Sequence, residues 1–436
     1  MIFNLPPLLG LLPLLLYIYL MITGKDMVWS VLISAVFGGI LTGVTLLQIG
    51  PIMQGAIGSF LALIGFIIML GAGLGEVLTR SKVAPNVVHI VIEKANIKTQ
   101  TRAIVVTMLI STLLVAMLGT LAGANAILAP IVIPVVASLK ISRSTLGVIF
   151  QGAGAVGLMT GPFVPPVVTV LGLTGVSYGA YLLAGGIPLA IILWVCTFFV
   201  AKRVQKKTET VTPYSDEDRV SEKFEVTGRV KAATAVFVIG MVLLLGYGIW
   251  QGVGASYAIP VMLIMSFAVG LTSGMKPAEI LQAIIAGCAR LFPLYLLFVL
   301  FDPLMRFITE SGAFVALAEL LQPIIDMGGQ IGFMFVTTVI SVFGIPGAAV
   351  TATIVKDEMF GPMAASLGIP IAMWAMALMA GGQITSFAYP GGDMLGQMGL
   401  ARSQDLRAMM KSGISITVAS ILFIVVRTVI LVLFGG

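Results

Sequence analysis

The sequence predicts an all-α polytopic membrane protein built from two inverted repeats, each of five transmembrane helices and one re-entrant hairpin. Three observations carry that prediction. Hydrophobic residues make up 59% of the chain and charged residues 10%, far from the usage of soluble domains. Apolar runs of about 20 residues, the length of a bilayer-crossing helix, recur from end to end. The chain also repeats itself. Residues 134–141 (PVVASLKI) return as 362–369 (PMAASLGI), and Leu78-Thr79 is echoed by Ile308-Thr309. Val106-Thr107 with Ile110-Ser111 returns as Val336-Thr337 with Ile340-Ser341, and the offset stays at about 227 to 230 residues.

The elements follow in order. The first repeat, 1–201, reads as spans at 4–22, 27–48 and 54–79 and an amphipathic arm at 83–98. A hairpin at 101–139 comes next, with legs 101–118 and 126–139, then an interrupted span at 145–172 and a last span at 180–201. Residues 202–231 are rich in charge of both signs and contain Pro213, the composition of a flexible linker. The second repeat, 232–436, has spans at 233–250, 256–273 and 279–308 and an arm at 312–327. A hairpin at 331–367, an interrupted span at 370–398 and a last span at 412–434 complete it. The leg after Asn125 is about 14 residues, or roughly 21 Å of helix, short for a full crossing. Basic residues flank both ends of that hairpin (Lys94, Lys98 and Arg102; Lys140 and Arg143), so both ends are expected in the cytoplasm.

An odd number of spans per repeat turns the second copy over, and the charges agree. The first arm carries Arg80, Lys82, Lys94 and Lys98, whereas its counterpart carries Glu310, Glu319 and Asp326 and no lysine or arginine. Lys140 and Arg143 face an uncharged 368–372, while Lys276 and the group Arg402, Arg407 and Lys411 face uncharged loops of the first repeat. Linker 202–231 is then cytoplasmic and both termini lie outside. The first apolar run lacks the basic leader and small-residue cleavage site of a signal peptide and reads as a span. The net charge of +6 suits basic cytoplasmic loops, not nucleic-acid binding. Cys196 and Cys288 lie in apolar runs and imply no disulfide framework. No phosphate loop, metal-ligand cluster or catalytic triad is present, so an enzyme is not expected.

Residues 119–126 at the hairpin tip, the motif 157–166 (GLMTGPFVPP) and the following 176–188 (VSYGAYLLAGGIP) resemble the ion transporter superfamily. That superfamily includes gluconate-type permeases, divalent-anion:sodium symporters and related sodium/proton antiporters. The usual Ser-Asn-Thr hairpin signature is replaced by Ala124-Asn125-Ala126, and by Val350-Thr351-Ala352 in the second copy. The resemblance implies an elevator-type carrier and a homodimer.

Four breaks in the helical pattern are expected to form the site: the tips 119–125 and 344–351, and the interruptions 160–166 and 382–393. Broken helices free backbone N–H groups for anions and carbonyls for cations. Pro390-Gly391-Gly392 is the strongest of them. The candidates for substrate binding are Thr120, Asn125, Thr160, Gly161, Pro162, Thr351, Thr385, Ser386 and Tyr389. Those for a coupling ion are Asp393, Asp357, Glu358 and Gln383, with a bound sodium near Asn125 and Thr351 as the one expected cofactor-like ion. Intramembrane acids are costly and usually functional. Against them stand structural readings: Asp393 as a helix cap, Asp357 and Glu358 salt-bridged beside Lys356, Asp302 paired with Arg306, and Glu76 paired with Arg80; Arg290 either snorkels or meets a substrate carboxylate, the former being favoured. The expected function is cation-coupled symport of a small organic anion across a bacterial inner membrane. The alternatives are a sodium/proton antiporter without organic substrate and the permease subunit of a larger uptake system.

Overall fold

The structure is a computed structural model, and it describes residues 6–23, 25–215, 217–219, 226–251, 255–344, 349–388 and 390–434. Among them there is no strand. The first half runs α1 (Leu12–Ile22), α2 (Met27–Thr42), α3 (Leu46–Ile57), α4 (Phe60–Arg80), α5 (Val83–Ala95), α6 (Gln100–Leu118) and α7 (Leu121–Ser138). It continues with α8 (Arg143–Thr160), α9 (Pro165–Thr174), the single turn α10 (Tyr178–Tyr181) and α11 (Ile187–Thr208). The second half runs α12 (Gly228–Gln251), α13 (Ala258–Ser273), α14 (Pro277–Glu310), α15 (Ala313–Gly344), α16 (Ala349–Ser366), α17 (Ile371–Ala388), α18 (Gly392–Leu400) and α19 (Leu406–Phe434). Nine helical stretches among the described residues are long and apolar enough to cross a bilayer. The chain is a multi-pass membrane protein.

Short polar side chains start the helices. Asp26 accepts from the Trp29 N–H at 2.9 Å, Ser59 from Ala62 at 3.1 Å, Thr99 from Arg102 at 3.3 Å and Ser142 from Thr145 at 3.1 Å. These are N-caps that satisfy the otherwise open first turns. Several boundaries differ from those expected. The span 27–48 ends at Thr42, because Gly43 adopts a left-handed conformation (φ 82°) and Thr45 with Gln48 starts α3. The loop expected before 279 is the start of α14, where Pro277 sits in the first turn and Glu279 accepts from the Lys276 N–H at 2.8 Å. The second arm and the first leg of its hairpin join as α15 across a kink at Gly329 (φ 54°, ψ −150°).

The two halves interlock. Helices α4 and α14 share the largest face. Small residues make it possible: a Cβ on Gly287 would lie 2.3 Å from the Ala72 carbonyl oxygen, and such close backbone approach is how membrane helices pack. The contacts come in matched sets. Helix α6 packs on α8 as α15 packs on α17, and α8 packs on α11 as α17 packs on α19. Helix α18 lies against α7 and α8, while α9 lies against α16 and α17. Each interrupted span therefore sends its second segment into the other half.

The start of the linker is pinned down. Gln205 donates to the Lys140 carbonyl at 2.8 Å and accepts from the Ser142 N–H at 3.0 Å. The Tyr214 hydroxyl donates to the Ala401 carbonyl at 2.8 Å. Asp218 receives Arg402 and, at 3.7 Å, Arg143, so one carboxylate touches a loop of each half. Partial burial works against its charge. The Ser215 hydroxyl and N–H, with the Arg402 and Arg143 guanidiniums, outweigh that and hold the Asp218 carboxyl below its ordinary value.

Candidate functional site

The first hairpin turns on Gly119, whose left-handed backbone (φ 72°) ends α6 while its N–H still bonds the Val115 carbonyl at 2.9 Å. Helix α7 begins at once, at Leu121. The tip is therefore Gly119-Thr120, not the whole of 119–125, and the second leg is longer than expected because the small residues after Thr120 continue as helix. Asn125 lies in the second turn of α7, fully buried. Its Oδ1 accepts from Ser111 at 2.8 Å, and its Nδ2 donates to the Phe150 carbonyl at 3.1 Å and to Gln397 Oε1 at 2.7 Å. One amide thus joins α6, α7 and α8 to α18 of the other half. Gln151, next along α8, donates to the Ser386 carbonyl at 3.3 Å. Gln151 Oε1 and Gln397 Nε2 are buried without a protein partner. An acceptor and a donor stand open where the halves meet.

In the first interruption, Thr160 donates to the Val156 carbonyl at 2.8 Å, so its hydroxyl is satisfied within its own helix. The carbonyls freed at the end of α8 are covered. Tyr178 donates to the Thr160 oxygen at 2.5 Å, Tyr181 to the Met159 oxygen at 2.7 Å, and the Gly161 N–H to the Gly157 oxygen at 2.9 Å. Gly161 lets the turn touch α6, since a Cβ there would lie 2.8 Å from the Ala116 backbone. Pro162 follows in the turn, and Pro165 and Pro166 open α9 without N–H groups. Few donors are therefore available to an anion at this end.

The second interruption is built differently. Gly391 is the N-cap of α18 and Asp393 lies in its first turn, one residue past the first helical position. It is not the capping residue itself, and it sits where a helix N-terminus favours negative charge. Ser386 donates to the Gln383 carbonyl at 2.8 Å, and Thr385 and Gln383 are buried in α17. Tyr389 lies outside the described residues. In the second hairpin Thr351 is buried with its hydroxyl toward that of Tyr17 in α1, while Thr353 donates to the Ala349 carbonyl at 2.9 Å. The tip residues 345–348 lie outside the described residues.

Asp393 stands apart from the other acids, whereas Glu358 lies within electrostatic reach of Asp357 and Asp302. Asp357 accepts from the Trp374 indole at 2.6 Å. Lys356 is buried, donates to the Ala377 carbonyl at 3.0 Å and lies 5.2 Å from the centre of the Trp374 ring. No ion pair joins Lys356 to Asp357 or Glu358 among the described residues, because consecutive helical residues point to different sides. Arg306 pairs with Glu310 at 2.7 Å and not with Asp302.

One cavity joins the first hairpin to α4 and α14. It has a volume of about 350 Å³ and is lined by Gly75 and Thr79 of α4, Thr120, Gly123 and Ala126 of the first hairpin, and Arg290. Arg290 meets Glu76 at 2.5 Å, and Glu76 also holds Arg80 at 2.7 Å. The guanidinium is thus held by an acid beside the cavity. Of the candidates above, the structure brings Thr120 to this cavity. The residues missed by sequence reasoning are Ser111 and Gln397; Arg290 was weighed there as a snorkelling side chain or a partner for a substrate carboxylate. Neither of the two gave a signal in the sequence.

The architecture recurs in solved transporters. The Alcanivorax borkumensis YdaH transporter matches over 97% of this chain and 99% of its own, with a TM-score of 0.62 and 15% identity. Neisseria gonorrhoeae MtrF matches over 98% of this chain and 95% of its own, with a TM-score of 0.56 and 12% identity. No curated protein matches the sequence. The pattern of the GntP family permeases matches residues 7–249, more than half of the chain. A carrier's fold, a polar junction between interlocked halves and this match have one meaning: the chain belongs to the GntP permease family and is a membrane transporter, not an enzyme.

Proposed function

We propose that this transporter carries a small organic anion together with a proton or sodium ion across a bacterial inner membrane, as an elevator-type homodimer. The observation that carries the reading is the cavity of about 350 Å³ in which Thr120 at the hairpin tip and Arg290 of α14 line one space. Its size suits a small ligand. A guanidinium offers a carboxylate a planar pair of donors, and a tip hydroxyl adds an uncharged one. Asp393, Asp357, Glu358 and Gln383 are the coupling-ion groups. Asn125, Thr160, Gly161, Pro162, Thr351, Thr385, Ser386 and Tyr389 complete the surroundings of the substrate path.

The matched helix contacts of the two halves support an inverted duplication, and the loop charges support a cytoplasmic linker with both termini outside. In this reading the hairpins and interrupted spans move as one body against a scaffold of α1, α2, α12 and α13. The test is uptake into proteoliposomes with a panel of labelled sugar acids and dicarboxylates, under imposed proton or sodium gradients. One acid should accumulate with one gradient. Arg290→Gln should cut its uptake at least tenfold, and Asp393→Asn should abolish the gradient dependence. Uptake indifferent to both gradients would overturn coupling. Full activity in Arg290→Gln would remove the cavity from the substrate path.

A further inference from the structure

Helices α11 and α19 pack together, and a cleft of about 550 Å³ opens beside them at the linker end of the molecule. Arg203 and Lys207 line it from the last turns of α11, and Arg407 and Lys411 from the first turns of α19. Each pair is spaced i, i+4, so each puts two cations on one helix face, an arrangement that weakens a helix by repulsion. Arg407 also sits in the first turn of α19, the end of a helix that disfavours positive charge. None of the four makes an ion pair among the described residues. The single acid in the lining, Asp405, is engaged by the Ala408 N–H at 3.0 Å.

The floor and the approach are apolar. Val200, Val204, Ala408 and Ile414 line the cleft. Exposed strips lead away from it: Ile191, Val195 and Phe199 down α11, and Ile414, Val418, Leu422 and Val426 down α19. Each strip repeats at i, i+4 and faces outward from a membrane-crossing helix. A cationic cleft that continues into outward apolar rails matches a molecule with an anionic head and hydrocarbon tails.

We propose that this cleft binds the phosphate headgroup of an anionic phospholipid, with the acyl chains lying along α11 and α19. The site is independent of the substrate cavity. Basic pockets between membrane helices at the cytoplasmic surface take such headgroups, each lysine or arginine contributing about 1 kcal/mol. The full-length protein in neutral detergent would be titrated with phosphatidylglycerol, phosphatidylcholine, glycerol phosphate or inorganic phosphate, and lipid retention read by native mass spectrometry. The expected result is tight retention of phosphatidylglycerol alone. Arg203→Gln and Lys411→Gln should each weaken it about fivefold, the equivalent of ~1 kcal/mol per cation. Melting in phosphatidylcholine should be unchanged, which separates lost binding from misfolding. Equal retention by the variants would overturn the proposal. So would binding of inorganic phosphate as tight as that of the lipid, which would make the cleft a soluble-anion site.

Discussion

Replacing Asn125 tests how the two halves are joined. Asn125→Ala removes three hydrogen bonds, at 2.8, 3.1 and 2.7 Å, but their losses are unequal. Ser111 can turn its hydroxyl to a carbonyl of its own helix, and the Phe150 oxygen keeps its helical partner. Gln397 has no such recourse. It is buried and its Nε2 already lacks a partner, so the substitution strands the whole amide. Stranding a buried polar group costs about 1–3 kcal/mol, and the cavity left by the lost amide brings the total to ~2–4 kcal/mol. Gln397→Leu alone costs less, because Asn125 Nδ2 keeps the Phe150 oxygen. In the double variant neither amide is stranded, so the two losses overlap by ~1–2 kcal/mol. Melting of the four proteins in one detergent, followed by uptake in proteoliposomes, measures the cycle. Losses that add to within about 0.5 kcal/mol would refute the bond between Asn125 and Gln397 and the joint built on it.

Two further outcomes follow from packing and charge. A Cβ at Gly157 would lie 2.5 Å from the Thr112 carbonyl oxygen and 2.8 Å from the Ala116 nitrogen, so Gly157→Ala must push α6 from α8 and should destabilise by ~1–3 kcal/mol. Gly246→Ala, with nothing within 4 Å of its Cβ, should be neutral or stabilise by up to ~1 kcal/mol, and equal melting of the two would remove the argument. Asp218→Asn should lower the melting temperature by the same amount from pH 8 to pH 5. Its carboxyl is held below the ordinary value in the folded protein, so its contribution is full above about pH 4. The gap should close only as pH falls through the depressed value, and a gap that closes near neutrality would contradict the clasp.

The spans, arms and both interruptions were legible because apolar length and Gly-Pro clusters are local signals. Helix ends were less so. Gly43 ends a helix that hydropathy would carry to residue 48, and Pro277 opens one where a loop was expected. Asn125 stood out in the sequence as a polar residue near a tip. Its role depends on Gln397, 272 positions away, and a pairing of that kind leaves no trace in a single chain. Arg290 was visible as an intramembrane cation, but hydropathy carries no information on whether such a side chain reaches out of the membrane or is held by an acid such as Glu76. The charge run from Lys202 onward has the composition of free linker. Its tyrosine and Asp218 find partners in loops of both halves that only the fold brings near.

The covering of the first interruption by Tyr178 and Tyr181 bears on stoichiometry. A duplicated carrier inherits two places where a cut helix could hand carbonyl oxygens to a passing cation. Here three of the last four carbonyls of α8 are occupied by the protein's own donors, and a small cation would have to displace two phenols to enter. On the proposed cation-coupled cycle, the first interruption then offers none of these three carbonyls to the ion, and the second is the one left to take it.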